Sequence, residues 1–377
     1  MKKIYYSLLI FLTIGAVFAI GKFIEDRKAF PNNFNEERPL IIEGKKYFIS
    51  PVGKDSNDGL SENTPFFTIQ RGLDLVQPGD GVILSEGVYL QDLVTRRDGT
   101  ANRLIIITGP KNAVVKGAGE KSRIIEIKHD YYGLKGFTVD GLEGDKDKEK
   151  NYRDKLIYIQ SDEPLNGVTG SRILEMDLKN AGGECLRMKY FAKGNEVAHN
   201  KIVGCGAYDF IFDNNGKNGE GIYIGTAPEQ AEDGKNPTED LDRSDNNWVH
   251  HNFIDTQGNE CVDIKEGSAH NLIENNECTG QKDKESAGLD SRGNDNTFRQ
   301  NEVYGNVGAG VRLGGDKKID GTNNIVVNNF LHDNEGGGIK FQSNPQKQIC
   351  GNRFANNKKG NLVGEYEEDN ENLKNCD

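Results

Sequence analysis

The sequence predicts an all-β fold of stacked coils, a parallel β-helix, and three observations carry that expectation. First, a six-residue frame returns four times between residues 258 and 342: Glu260-Cys261-Val262-Asp263-Ile264-Lys265, Ala287-Gly288-Leu289-Asp290-Ser291-Arg292, Ala309-Gly310-Val311-Arg312-Leu313-Gly314 and Gly337-Gly338-Ile339-Lys340-Phe341-Gln342. Earlier copies stand at Glu184-Cys185-Leu186-Arg187-Met188-Lys189 and Glu220-Gly221-Ile222-Tyr223-Ile224-Gly225. A period of roughly 20 to 40 residues marks a repeat architecture, in which each unit buries its apolar face only against a neighbour. Second, a unit of Asn, any residue, apolar, two residues, Asn, any residue, apolar spans residues 195–202, 247–254, 271–278, 296–303 and 324–331. Its second asparagine (Asn200, Asn252, Asn276, Asn301, Asn329, with Asn352 in a degenerate copy) falls at one turn of every coil, where side-chain amides can bond from coil to coil or simply suit a left-handed turn. Third, the apolar positions alternate with period two, which is the strand period.

From the N-terminus, Met1, Lys2 and Lys3 precede an apolar run to Ile20, with Val17 and Ala19 placed for a cleavage after Ala19. A basic start, a short apolar core and a small residue at the cut describe an export signal over 1–19. Retained, it is a short anchor and the chain's one route to a membrane. Residues 20–45 are charged and Asn-rich, a linker. Lys46-Tyr47-Phe48-Ile49-Ser50 reads as a strand. Thr64-Pro65 offers an N-cap and first-turn proline, and Phe67, Ile69, Leu73 and Val76 recur at helical spacing. A helix there caps the open apolar end of the solenoid, which would otherwise be an exposed sheet edge. Val82-Ile83-Leu84, residues 104–107, Val114-Val115 and residues 134–139 follow as strands of the early coils. The β-helix is expected over 46–363, with an acidic tail at 364–377.

A single elongated domain accounts for the length, because a solenoid grows along one axis and escapes the size limit of a globular core. Its 46 glycines and apolar fraction of 35% suit many short strands, each coil adding a thin slice of core. The net charge of -12 excludes nucleic acid as an expected partner, since phosphate needs a basic footprint. It suits an exported, soluble, monomeric protein, secreted or periplasmic, that holds a divalent cation. Six cysteines in an exported chain permit disulfides. Cys185 and Cys261 share a column, but the coil of Gly221 separates them by two strand spacings, about 9.5 Å, too far to bridge. Cys278 sits at an inward position and reads equally as core filler. Cys350 with Cys376 is the preferred pair, because it pins the tail over the last coil.

The segment 47–89, with Ser50-Pro51-Val52-Gly53-Lys54-Asp55, Pro65-Phe66-Phe67-Thr68-Ile69, Pro78-Gly79-Asp80 and Glu86-Gly87-Val88-Tyr89, resembles the start of secreted right-handed parallel β-helix proteins of the pectate-lyase-like superfamily. With the asparagine units, the resemblance covers residues 46–360. It implies the fold and leaves the activity open, because such folds host many functions.

Function must therefore come from the site. Alternation turns Val262, Ile264, Leu289, Val311, Leu313, Ile339 and Phe341 inward, so Asp263, Lys265, Asp290, Arg292, Arg312 and Lys340 point outward. With coils about 4.8 Å apart, Asp263 stands beside Asp290, Lys265 beside Arg292 and Asp290 beside Arg312, while Arg187 and Lys189 share the same two columns. The bland reading is a solvated face whose charges pair across strands. Against it, like charges neighbour one another, which is unfavourable unless a ligand or ion compensates. Long loops at 141–153 and 226–246 are placed to wall a cleft.

The pair Lys265 and Arg292 resembles the site of polysaccharide lyase family six, the alginate lyase and chondroitinase B group. The resemblance implies Lys265 as base, Arg292 as acid, and a calcium ion held by acids just before the lysine, with Glu260 and Asp263 as its ligands here. Where the family carries a second acidic ligand this chain has Gly258, and Asp263 or Glu220 is left to substitute. Arg187, Lys189, Tyr223, Asp290, Arg312 and Lys340 then become candidates for binding an acidic polysaccharide. Elimination needs these types: a cation or guanidinium neutralises the uronate carboxylate, and a neutral lysine takes the C5 proton. A guanidinium one coil away is expected to lower the Lys265 pKa in that direction, and Arg292 can also grip the carboxylate with two hydrogen bonds.

Other constellations point elsewhere. His250 and His251 precede Asn252, with His199 in a similar frame, as a metal site or as surface turn histidines. Asp263 and Asp290 resemble an inverting glycosidase pair, which wants about 6.5 to 9.5 Å between carboxyls, but the Gly-His-Gly and Arg-Ile-Lys signatures of polygalacturonase-like hydrolases are missing. The acidic stretch 229–245 reads as a calcium loop or a solvated insertion. An exported lyase and a non-catalytic glycan-binding or surface rod remain the two function classes.

Overall fold

The computed structural model describes residues 38–370, apart from 119–121 and 215, together with Cys376. The expected export signal and most of the expected linker lie outside the described residues.

Most strands are three residues long, apolar at the centre or at both ends, because a turn residue interrupts the alternation each time. Glu175, His199, His251, Asn275, Gln300 and Asn328 occupy one such turn in successive coils, with φ between 53° and 58°. That left-handed conformation swings the chain from one sheet into the next. Repetition of the turn produces a right-handed parallel β-helix with three faces: a first sheet of eleven strands from Lys46–Ile49 to Gln348–Cys350, a second of ten from Leu93–Val94 to Leu362–Gly364, and a third of ten from Gly87–Tyr89 to Arg353–Ala355. The inward residues Val262, Ile264, Leu289, Val311, Leu313, Ile339 and Phe341 are fully buried in one core that runs along the axis.

Asparagines line the corners. Between the first and third sheets, Asn200 donates from Nδ2 to Oδ1 of Asn252, and the same bond of 2.9 to 3.0 Å continues through Asn276, Asn301, Asn329 and Asn352. The first asparagine of each unit makes a second column, Asn195 to Asn247 to Asn271 to Asn296, at the corner before the first sheet. A third, Asn306 to Asn334 to Asn357, stands between the third and second sheets. Each amide also bonds the backbone of its neighbour, as Asn276 does to the Val249 carbonyl at 3.0 Å, so buried turn groups are satisfied.

The helix starts four residues later than expected. It spans Ile69–Leu75, and its cap is Thr68, whose hydroxyl accepts from the Arg71 amide. Thr64 instead donates to Asp58 in the preceding loop. Ile69, Leu73 and Val76 are buried over the first coil and Phe67 is exposed, its expected place taken by Phe66. The disulfides are Cys185–Cys205, Cys261–Cys278 and Cys350–Cys376. Cys278 is therefore a bonded cysteine and not simple filler. The coil is thin enough that Cys261 and Cys278 lie 5.9 Å apart, Cα to Cα, across its interior. Disulfides persist in oxidising compartments. Among the described residues no helix is long and apolar enough to cross a membrane.

Candidate active site on the second sheet

The outer face of the second sheet carries one continuous column. Register sets Tyr158 beside Arg187, then Tyr223, Asp263, Asp290, Arg312 and Lys340 on successive rungs. A parallel column lies on one flank, because Glu184, Glu220 and Glu260 all fill the first position of the repeated frame. Lys265 and Arg292 lie on the other, just past the paired strands Val262–Ile264 and Ala287–Ser291.

The acids form the floor of this face. Glu220, Glu260, Asp263 and Asp290 are each 3% exposed or less, while Lys265, Arg292, Arg312 and Lys340 are partly open to solvent above them. Lys265 Nζ lies 2.7 Å from Asp263 Oδ2, and 4.8 Å from the centre of the Tyr223 ring. The Arg187 guanidinium stacks on the same ring at 4.2 Å. Arg312 forms a two-toothed pair with Asp290 and also reaches Glu260. Arg292 turns instead to Glu266 at 2.6 Å and to Asp316. Lys340 donates to the Glu285 carbonyl. So Lys265 and Arg292 sit on neighbouring rungs but answer to different carboxylates.

Charge crowding shows in the proton affinities. Burial, reinforced by Glu184 and Asp263, pushes the Glu220 carboxyl up to about 7. Glu260 is driven well above the usual range by burial and by Asp263, Asp290 and Glu220. Burial raises Asp290 despite Arg312. Glu184 goes the other way, because Lys155 and Arg187 overcome its burial and hold it at about 2. For Lys265 the expectation of a lowered pKa is overturned. Burial works in that direction, but Asp263, Tyr223, Glu260 and Glu220 outweigh it and hold the ammonium well above its ordinary range. The arginine meant to depress it is occupied elsewhere.

Arg187 and Lys189, expected to bind substrate, are instead only 7% and 1% exposed, beneath the loop 226–246. Gln230 takes a hydrogen bond from Arg187, and Asp242, itself buried, accepts from the Tyr190 and Phe191 amides and from Thr226. The insertion is anchored on the coil through Gln230 and Asp242, while Glu229, Glu232, Asp233, Glu239 and Asp240 are exposed, as expected of a solvated acidic insertion. Burial and Arg187 together push Lys189 down to about 7. Arg187 touches the face only through the Tyr223 ring on which it stacks.

The donor set fits calcium. Glu220, Glu260 and Asp263 offer oxygens that all lie within 4.8 Å of one another, and hard oxygen ligands are what that ion takes. Glu260 Oε2, Asp263 Oδ1 and the Tyr223 hydroxyl have no hydrogen-bond partner, an unfavourable state for buried polar atoms without a compensating ligand. Gly258 sits where a Cβ would lie 2.3 Å from the Cys205 carbonyl oxygen, so that position has no room for an acid, whereas Glu220 of the previous coil brings an oxygen within 4.8 Å of those of Glu260 and Asp263. Sequence reasoning missed Glu184, Glu266 and Asp316. For Glu184 the signal was present, since it opens the frame as Glu220 and Glu260 do.

No family model matches the sequence. The chain is 28% identical over 151 residues to the uncharacterized protein YwoF of Bacillus subtilis (strain 168), a stretch that is 38% of this chain and 30% of that protein. It thus spans under a third of the curated relative's length. Among solved structures, an alginate lyase from Paenibacillus sp. strain FPU-7 superposes with a TM-score of 0.60 at 18% identity, covering 78% of this chain and 96% of that one. The pectate lyase Pel9A gives 0.59 at 15% identity over 86% of this chain and 80% of its own. Identities this low speak for the fold alone: a pectate-lyase-like β-helix, an architecture on which polysaccharide lyases are built.

Proposed function

We propose that this chain is an exported lyase that cleaves a uronate-containing acidic polysaccharide by β-elimination on the outer face of the second sheet. The observation that supports this most is the acid floor of Glu220, Glu260 and Asp263 beside Lys265, rimmed by Arg292, Arg312 and Lys340. An acidic polymer meets the cationic rim first. Arg312 and Lys340 draw in its carboxylates, and Lys265 is the group placed to take the C5 proton. As the C5–H bond breaks, its electrons form the C4=C5 double bond and the C4–O bond opens. The leaving oxygen then takes a proton. Glu266 holds the Arg292 guanidinium far above any range in which it would give one up, so Arg292 orients the leaving oxygen by hydrogen bonds and solvent supplies the proton. Calcium bound by Glu220, Glu260 and Asp263 would neutralise the uronate carboxylate and remove the negative charge that now keeps Lys265 protonated. The three disulfides and the N-terminal sequence support export.

The second reading is a glycan-binding rod without catalysis, and the mutual pairing of Lys265 with Asp263 and Arg312 with Asp290 favours it. The two separate in one experiment. The protein is incubated with alginate, pectate and chondroitin or dermatan sulphate, with and without calcium, while ultraviolet absorbance and chain length are followed. The lyase reading expects absorbance from the new double bond to rise as chains shorten. Shortening without absorbance would make it a hydrolase, and neither change on any polymer would leave the binding rod.

A further inference from the structure

At the corner between the first and third sheets, away from the acid-floored face, three histidines of two consecutive coils converge. His199 and His251 hold the same left-handed turn position, at φ 58° and 53°, one coil apart, and His250 precedes His251. Each of the three offers a ring nitrogen, and these nitrogens all lie within 4.8 Å of one another. His250 Nδ1 faces His251 Nδ1 at 2.9 Å. The His199 ring stacks on His251 with centroids 5.0 Å apart and meets His250 edge-on at 5.7 Å. In neighbouring coils the same turn position holds Glu175, Asn275, Gln300 and Asn328, so among these coils a histidine holds it only in the two at 199 and 251.

What lies behind His250 makes this more than a chance cluster. His250 is fully buried, with the Trp248 ring stacked on it at 3.7 Å. Its other nitrogen, Nε2, points at Glu196 Oε1, 3.3 Å away, and Arg172 keeps that carboxylate charged through an ion pair. A carboxylate behind an imidazole fixes the proton on the nitrogen facing it and leaves the lone pair on the opposite one, which is the arrangement that orients and strengthens metal-binding histidines. The lone pair of Nδ1 then points to the cluster. Two ring nitrogens at this separation share a proton or a metal ion. His199 and His251 are exposed and border an open hollow with Asp177, Asn200, Lys201 and Phe253, so an ion has an entry path and room for a water.

We propose that His199, His250 and His251 form a site for a borderline divalent metal of the zinc class, bound by three imidazole nitrogens and one water. Tetrahedral zinc, with bonds of about 2.0 to 2.1 Å, needs ligand nitrogens about 3.3 Å apart, which requires the exposed His199 to swing inward from its place within 4.8 Å of the other two and the exposed His251 to draw back slightly from His250, now 2.9 Å away. Calcium, which takes oxygen ligands, is excluded from it. The site ties together coils whose equivalent corner asparagines, Asn200 and Asn252, are 52 residues apart in sequence, and the loop over Arg187 and Lys189 lies within that interval. A bound ion thus cross-links the two ends of this whole coil, closing a long excursion as a disulfide does.

The test uses the untagged chain, stripped with chelator and titrated with zinc chloride by calorimetry, with cobalt absorption as a second readout of nitrogen ligation. One equivalent of zinc should bind, raise the melting temperature, and show no competition from calcium. His199→Ala and His251→Ala change exposed side chains and should fold but lose the binding, while Glu196→Gln should weaken it by about 10- to 100-fold. Binding that survives both histidine variants, or that disappears in Glu260→Gln instead, would overturn the assignment, as would the absence of binding by the wild type.

Discussion

The corners of the coil and the outer face of its second sheet are both built from columns of like residues, yet the columns end in opposite states. At the corners each asparagine is neutral and is donor and acceptor at once, so every added copy satisfies the one before it, and the stack needs nothing from outside. On the second sheet each added carboxylate makes its neighbours harder to ionise. Glu220 and Glu260 are pushed upward, and Glu260 Oε2 and Asp263 Oδ1 are left without partners. Repetition that satisfies itself is architecture. Repetition that crowds buried carboxylates is what the proposed cation would relieve.

Substitutions in the two regions should therefore part company. The largest effect is expected from Lys265→Ala, which removes the proposed base: the rate of double-bond formation should fall by about 10²- to 10⁴-fold, measured by absorbance on whichever uronate polymer is cleaved, and stability should fall as well because buried Asp263 loses its partner. Next, Asn276→Ala breaks the corner column in the middle. It removes bonds to Asn301, Val249 and Glu274, takes the acceptor from the Asn252 backbone amide and leaves the Asn252 side-chain amide only the Val197 carbonyl, so denaturant unfolding should show a loss of about 3 kcal/mol, with the chemistry of the remaining folded protein intact.

Smaller effects sharpen the contrast. Glu260→Gln takes one charge out of the crowded floor, so the calcium-free protein should become more stable by about 1 kcal/mol in thermal unfolding while its calcium affinity falls in calorimetry. An asparagine in a corner column offers no such gain. Lys189 supplies a pH test. Its pKa is about 7 in the fold against 10.5 for the unperturbed side chain, so between these values the unfolded chain binds more protons and stability rises with pH. This contribution is complete only above the unfolded value and is lost as pH falls through the folded one. Lys189→Met should flatten that slope between pH 7 and 10 in denaturant titrations at stepped pH.

The coil was readable because its signals are local and repeated. The strand alternation that buries Val262 and Ile264 and the six-residue frame at 260, 287, 309 and 337 each state the same register several times over. A single helix boundary has no such redundancy, and Thr64-Pro65 outweighed Thr68 as a start signal because a proline in the first turn is a strong cue by itself. The site was readable as a set of columns, since counting by two brings Asp263 beside Asp290 and Arg312. Its electrostatics were not. Whether Lys265 answers to Arg292 or to Asp263 depends on side-chain reach, and Arg292 is drawn off by Glu266 and Asp316, each a coil away along the chain. Likewise nothing in the composition of 226–246 says that Asp242 folds inward and buries Arg187 and Lys189. The Cys261–Cys278 bond escaped for a related reason, because it joins residues across the coil and not along a column.

A cation held by the proposed acid floor next to Lys265 during elimination would make turnover depend on calcium. Double-bond absorbance is followed on a cleaved uronate polymer while calcium is chelated and then restored, in the wild type and in Glu260→Gln. The wild-type rate should collapse on chelation and return with calcium, and the variant should need far more calcium or stay silent. An equal rate with and without calcium in both proteins would contradict that dependence.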